Sequence, residues 1–414
     1  MRIATLHDAV RDAFFRWGWL LPAALPLTQI GGRALFNVFA GVYALWGLLS
    51  FWNRRGRLDR ATTLLYLALL GVFLLGIPGS LEPERGLRLW GEFAALSFSM
   101  LLMQIALQES PVHLDRLLKA LALFGAIALG LLYLQLPYLW LEWSGQPFDP
   151  LAQLRRDNLP FLLPFLLGWL WWHGSPRWRY GLMAGVVLAM LAYAAIAEGR
   201  AALLGLIVGL GAFCGLVLGW RLRWAALLAV LALAIGIAAN TGPFRKADLD
   251  PDHPVDAFTA GRTILWRQAL ENPPVRPWLG VGIGNVHHAE AMLSFELGGH
   301  SLQVKHLHNF VLDAWYETGI LGVGLLLALI GAVLARVARC WRRLSDLDRQ
   351  RAGVLLAAAL AIMTAASLSF SYTSRHFACY LFVCLGGLIH LTRSRPVATT
   401  SSTTGHIIPD RHRR

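Results

Sequence analysis

Apolar residues run along this chain in long unbroken stretches, separated by short segments that hold most of the charge. A run of about 17 to 25 apolar residues is long enough to cross the hydrocarbon of a bilayer as a helix. The pattern predicts about twelve such spans. They fall near residues 15–30, 34–52, 61–78, 89–108, 117–140, 159–173, 180–197, 201–219, 224–240, 309–335, 352–371 and 376–392. The first and sixth are short and carry Pro22, Pro26, Pro160 and Pro164, so either is open to being kinked or partly re-entrant. Closed barrels need a strict two-residue alternation, which these runs lack. The expected fold is therefore an all-α polytopic bundle.

Composition sharpens the picture. Of the 414 residues, 56% are apolar and 15% charged, against about a quarter charged in soluble domains. The net charge of +13 does not point to nucleic acid, because the basic residues cluster in short loops and no nucleic-acid motif accompanies them. With the N-terminus inside, 24 of the 37 Lys and Arg fall on one side, which predicts that both termini are cytoplasmic. The domain reading is then spans one to nine over 1–240, a periplasmic loop over 241–308, spans ten to twelve over 309–392, and a disordered cytoplasmic tail over 393–414. The loop is expected to hold amphipathic helices, because Arg262, Leu265, Trp266, Ala269 and Leu270 recur at helical spacing. The four cysteines contain no C-x-x-C pair and suggest neither a disulfide framework nor a zinc site. The first apolar run has no convincing cleavage site for a signal peptide.

Several polar residues sit at the outer ends of spans, where the positive-inside bias disfavours cations. Arg200 lies in the short turn Ala197-Glu-Gly-Arg200, Arg262 opens the amphipathic segment, and Arg155 and Arg156 precede the sixth span. Each, taken alone, also suits a lipid-headgroup contact. Asn309, Asp313 and Glu317 follow one another at four-residue spacing and share a helix face at the start of the tenth span. Such a stripe faces a cavity or another helix and not lipid. His308 stands at its mouth, where it is either structural or a general base. Pro277-Trp-Leu-Gly-Val-Gly-Ile-Gly-Asn285 lacks the strand and helix of a dinucleotide fingerprint and reads as a close-packed loop. Gly319, Gly322 and Gly324 read as helix-packing positions. Asp248, Asp250 and Asp252 alternate, but His253 and Thr259 stand where a calcium loop needs Gly and Glu, so no metal is expected.

In this order, Glu198-Gly-Arg200, Gly261-Arg262…Trp266, Pro277…Gly280-Val-Gly282-Ile-Gly284-Asn285 and His308-Asn309…Glu317-Thr-Gly319 resemble the O-antigen ligase and polymerase superfamily of bacterial inner-membrane proteins. Leu154-Arg155-Arg156-Asp157-Asn158-Leu159-Pro160 is similar to a weaker motif of the same family, and Glu198 departs from the serine often found there. The resemblance implies a periplasmic glycosyltransferase that needs no cofactor or metal and inverts the anomeric centre. The donor it implies is an O-antigen on undecaprenyl pyrophosphate, and the acceptor in the ligase branch is the lipid A core. Carried over by position, Arg200 and Arg262 match the family's essential arginines and His308 its essential histidine. Arg155, Arg156, Asn309 and Glu317 are the further substrate-binding candidates. A polymerase differs only in acceptor. Protein glycosyltransferases of this kind often carry an extra domain that is missing here. A transporter or flippase is disfavoured because no internal repeat is evident and the notable charges cluster at the outer boundary.

Overall fold

The structure is a computed structural model. It describes residues 58–108, 110, 112–143, 158–197, 199–219, 222–224, 261–288, 294–297, 300–303 and 306–393, with isolated positions before residue 46 and at 230. Most of the first two expected spans, nearly all of the ninth, Arg155, Arg156, Glu198, the Asp248–Asp252 run and the tail beyond 393 lie outside the described residues.

Among the described residues the helices are α1 (Arg60–Leu75), α2 (Pro83–Ser97), α3 (Ser99–Ala106), α4 (Val112–Trp143), α5 (Leu159–His173), α6 (Arg179–Ile196) and α7 (Arg200–Val217). The outer loop contributes α8 (Arg262–Glu271), and the chain closes with α9 (Phe310–Cys340), α10 (Asp346–Ser369) and α11 (Arg375–Thr392). Six helical segments are long and apolar enough to cross a membrane, while α1, α5 and the greater part of α11 are shorter apolar helices. Helix starts follow local chemistry. The Asp59 carboxylate accepts the Thr62 N–H at the head of α1, and the Ser345 hydroxyl accepts that of Asp348 at the head of α10. Such caps satisfy amide groups that the first turn of a helix leaves open.

Small residues set the centre of the bundle. Helix α10 is alanine-rich and lies against α7, α11 and α5. A Cβ placed on Gly205 would stand 2.9 Å from the Ala361 carbonyl, and one on Gly209 2.8 Å from the Ala361 Cβ. Near the other end of the same pair, a Cβ on Gly353 would stand 3.0 Å from Val217. Close backbone approach over glycine and alanine is how helices gain van der Waals contact where no hydrophobic drive separates protein from lipid. Helix α5 is buried from Leu159 through Gly168, so its prolines are enclosed by protein. At the end of the bundle where α1 begins and α9 finishes, Arg336 pairs with Asp59 and its Nε donates to Thr392 Oγ1 at 3.1 Å. At the other end, Arg375 grips Glu92 with two hydrogen bonds of 2.9 and 3.2 Å, which ties α11 to α2.

The expectation of an all-α chain needs one correction. Within the loop, β1 (Ser294–Leu297) and β2 (His300–Gln303) pair antiparallel with Leu297 opposite His300. Only Gly298 and Gly299 separate the paired strands, and a Gly-Gly dipeptide between short alternating runs is a hairpin signal. The long apolar runs on either side masked it.

Candidate active site

The site is built on the turn that starts α9. Asn309 caps this helix, its Oδ1 accepting the N–H groups of Val311 at 3.0 Å and Leu312 at 3.1 Å. The residue before it, His308, has φ +54°, in the left-handed region that a non-glycine residue enters at a cost of about 1 kcal/mol. Neighbours hold the turn in place. Leu307 donates its N–H to Asp313 Oδ1 at 2.7 Å and accepts the indole N–H of Trp266 at 2.8 Å. The His308 N–H donates to His306 Nδ1 at 3.2 Å.

The imidazole of His308 makes a contact that fixes its chemistry. Its Nδ1 lies 3.3 Å from the Ser369 carbonyl, at the C-terminal end of α10. A carbonyl only accepts, so in the neutral ring the proton sits on Nδ1 and the lone pair on Nε2. Burial pushes the imidazole down from its usual value, the guanidinium of Arg262 pushes it further, and the Ser369 carbonyl partly offsets both, leaving it at about 4. With its pKa at about 4, the His308 imidazole is unprotonated at neutral pH.

Arg262 reaches this place because of the helix it begins. Gly261, at φ +76°, turns the chain into α8, which buries Leu265 and Ala269 against Val286, Leu307 and Tyr316. A helix is therefore present where helical spacing predicted one, but Leu270, expected on the same face as Leu265 and Ala269, is exposed. Trp266 commits its indole N–H to the turn that carries His308.

Arg200 is the first residue of α7. Helices α7 and α10 run antiparallel, with Gly205 and Gly209 beside Ala361 and Val217 beside Gly353. Continuing that register brings Arg200 level with the last turn of α10, where Ser369 meets His308. The end of the bundle that carries His308 and Arg262 thus carries Arg200 as well. The Pro160 ring packs on Gly205, and Arg155 and Arg156 lie outside the described residues.

Glu317 is buried, and its carboxylate is held from several sides. The Tyr372 hydroxyl donates to Oε2 at 2.8 Å, the backbone N–H groups of Gly284 and Val286 also bond to it, and Arg85 is near enough to act on its charge. These contacts belong to a larger device. At Gly319 (φ +65°, ψ −170°) helix α9 breaks. The break opens the bonds that Ile320 and Leu321 would make to Tyr316 and Glu317. The glycine-rich segment supplies substitutes: Val281 and Gly282 donate to the Tyr316 and Glu317 carbonyls at 3.0 and 2.8 Å, and Ile320 and Leu321 donate to those of Pro277 and Trp278 at 2.9 and 3.3 Å. A broken helix at membrane depth is tolerable only when protein groups satisfy its freed amides, and this loop does so. A side chain at Gly280 would overlap the Glu317 backbone, and one at Gly319 the Trp278 backbone. Gly319 is thus a break point and not a simple packing contact, Gly322 lies against Thr318 and Phe73, and Gly324 meets nothing within 4 Å.

Three participants escaped sequence reasoning. The Ser369 carbonyl has no side-chain signal. Tyr372 belongs to the polar run Ser371-Tyr-Thr-Ser-Arg375 between the last two spans, and its polarity at the same end as His308 was an available clue. Arg85 donates toward His287, its Nη1 standing 3.0 Å from Nε2. It lies in the charged first turn of α2.

Residues 185–327 match the O-antigen ligase family model. The matched residues contain Arg200, Arg262, the glycine-rich splint, His308 and Glu317, whereas Ser369, Tyr372 and Arg85 reach the site from outside it. The exopolysaccharide production protein ExoQ of Rhizobium meliloti (strain 1021) is 28% identical over 229 residues, covering 53% of this chain and 51% of that protein. The chain therefore spans about half the length of the curated relative it matches. The matched segment together with six apolar helices among the described residues indicates a multi-pass membrane protein.

Proposed function

We propose that the protein is an O-antigen ligase that moves an O-antigen polysaccharide from undecaprenyl pyrophosphate to the lipid A core at the periplasmic face of the bacterial inner membrane. The observation that carries this reading is Arg262 acting on the imidazole of His308 inside an O-antigen ligase family segment.

Arg200 and Arg262 hold the diphosphate, which guanidinium groups grip bidentately with full charge at any working pH. As the bond from the anomeric carbon to the phosphate oxygen breaks, negative charge grows on the leaving group, and cations fixed beside it stabilise the transition state. The acceptor hydroxyl forms the new bond from the opposite face of the sugar and passes its proton to His308 Nε2. Undecaprenyl pyrophosphate departs and the anomeric configuration inverts. The arginines supply the positive charge that a divalent ion supplies in many other transferases, so a chelator is expected to leave transfer unchanged. Arg155 and Arg156 assist with donor or acceptor phosphate. Asn309 and Glu317 shape the substrate site, the first by starting α9 at the reacting histidine and the second by anchoring the splint. The remaining partners are membrane lipids, and both chain termini are cytoplasmic.

The polymerase reading keeps the same donor and adds sugars to a lipid-linked acceptor; a relative named for exopolysaccharide production favours it as the second choice. Lipopolysaccharide gels of a deletion strain separate the two. Loss of a ligase leaves long lipid-linked polymer and bare core, whereas loss of a polymerase leaves core bearing a single repeat. Reporter fusions that put residues 241–308 in the cytoplasm would overturn both and reopen the transporter reading.

A further inference from the structure

Asp313 plays no part in the chemistry above, yet it is fully buried one turn into α9. A buried carboxylate persists only where its surroundings compensate for lost hydration. Its Oδ1 accepts the Leu307 N–H at 2.7 Å, the Ser371 side chain also bonds the carboxyl group, and its Oδ2 stands 4.0 Å from His306 Nδ1. His306 in turn accepts the backbone N–H of His308 through that same Nδ1, and the two rings lie 4.1 Å apart at an inclination of 52°. The left-handed conformation of His308 is unfavourable by itself, and a strained residue of this kind keeps its shape only when its neighbours over-determine it.

We propose that Asp313 is a positioning residue for the His308 base. It fixes the Leu307 amide and flanks His306, so that the backbone of His308 stays in its left-handed turn with Nδ1 against Ser369 and Nε2 left for substrate. The inference rests on the reading of His308 as the base. It assigns Asp313 no contact with donor or acceptor, so its removal affects turnover and not donor binding.

The test is in vitro transfer by the purified full-length protein, with kcat and donor KM measured for Asp313→Ala, Asp313→Asn and His308→Ala and for Asp313→Ala combined with His308→Ala. A general base commonly contributes 10²–10⁴ in rate, so a misplaced one lowers kcat on the order of 10²-fold in Asp313→Ala while donor KM stays within about threefold. Asparagine keeps an oxygen for the Leu307 N–H, and Asp313→Asn is expected within about tenfold of the original kcat. Residues acting as a unit are strongly non-additive, so adding Asp313→Ala to His308→Ala costs less than about twofold more. An Asp313→Ala protein with unchanged kcat, a loss confined to donor KM, or a full multiplicative loss in the double variant overturns the inference. Should Asp313→Ala fail to fold, Asp313→Asn decides, and a folded but inactive Asn variant also overturns it. If His308→Ala keeps full transfer, the base reading itself has failed; if it loses transfer while the Asp313 variants depart from these outcomes, only the role of Asp313 is refuted.

Discussion

The guanidinium of Arg262 lies near enough to the His308 imidazole to lower its affinity for a proton, adding to the effect of burial. Donor binding should reverse part of that effect. A diphosphate placed on Arg262 neutralises the charge that opposes protonation, and the base strengthens as substrate arrives. The imidazole at about 4 in the free protein gives the sign. The acid limb of kcat/KM, which reports the free protein, should lie below that of kcat, which reports the complex. Transfer rates from pH 4 to 8 at low and saturating donor check this, and coincident limbs would show that Arg262 does not carry the diphosphate.

The Trp266 indole and the Leu307 carbonyl are joined by a 2.8 Å hydrogen bond that links α8 to the histidine turn. Trp266→Phe keeps most of the ring packing and removes that bond, which is worth about 1 kcal/mol. We expect transfer to fall by roughly fivefold, following the tenfold change per 1.4 kcal/mol, with little change in expression. The variant's kcat against its membrane abundance is the measurement.

The splint at Gly319 should tolerate no side chain where it meets the broken helix. Gly280→Ala adds a Cβ against the Glu317 backbone at a φ of +67°. Steric overlap plus an unfavourable backbone region belongs to the class of changes that costs more than about 2 kcal/mol. A large drop in Tm of the purified protein is expected, while Gly324→Ala, at a position with open space, should leave Tm unchanged.

Tyr372→Phe removes a hydroxyl donor from the buried Glu317 carboxylate. Hydrogen bonds to charged groups contribute about 1.5 to 3 kcal/mol, and Glu317 is buried. Thermal unfolding should shift downward by several degrees. An unchanged Tm would mean that Gly284 and Val286 alone satisfy the group.

Much of this was legible in the chain. The runs that became α1, α5, α6, α7, α9, α10 and α11 are apolar over their lengths, and burial in lipid or protein leaves such runs no alternative to helix. Arg262 and His308 announced themselves as charged or titratable groups at span ends. What could not be read was how separate segments combine. Gly319 looked like one of three packing glycines, because a helix break is visible only when another segment supplies its hydrogen bonds. The role of Trp266 was hidden because its partner is a backbone carbonyl 41 positions away. Ser369 offers His308 a main-chain oxygen, which leaves no trace in residue type. The hairpin at 294–303 was readable from Gly298-Gly299 but lay among residues judged by helical spacing alone.

The proposed chemistry requires both guanidiniums and the imidazole in one crevice, and the sharpest measurement of it is glycan transfer by purified Arg200→Ala, Arg262→Ala and His308→Ala proteins set against the unaltered chain. Each variant is expected to fold, judged by an unchanged elution profile, and to lose transfer by at least about 10²-fold. Full transfer by a folded His308→Ala protein, or by either arginine variant, would contradict the assignment of that residue to the reaction.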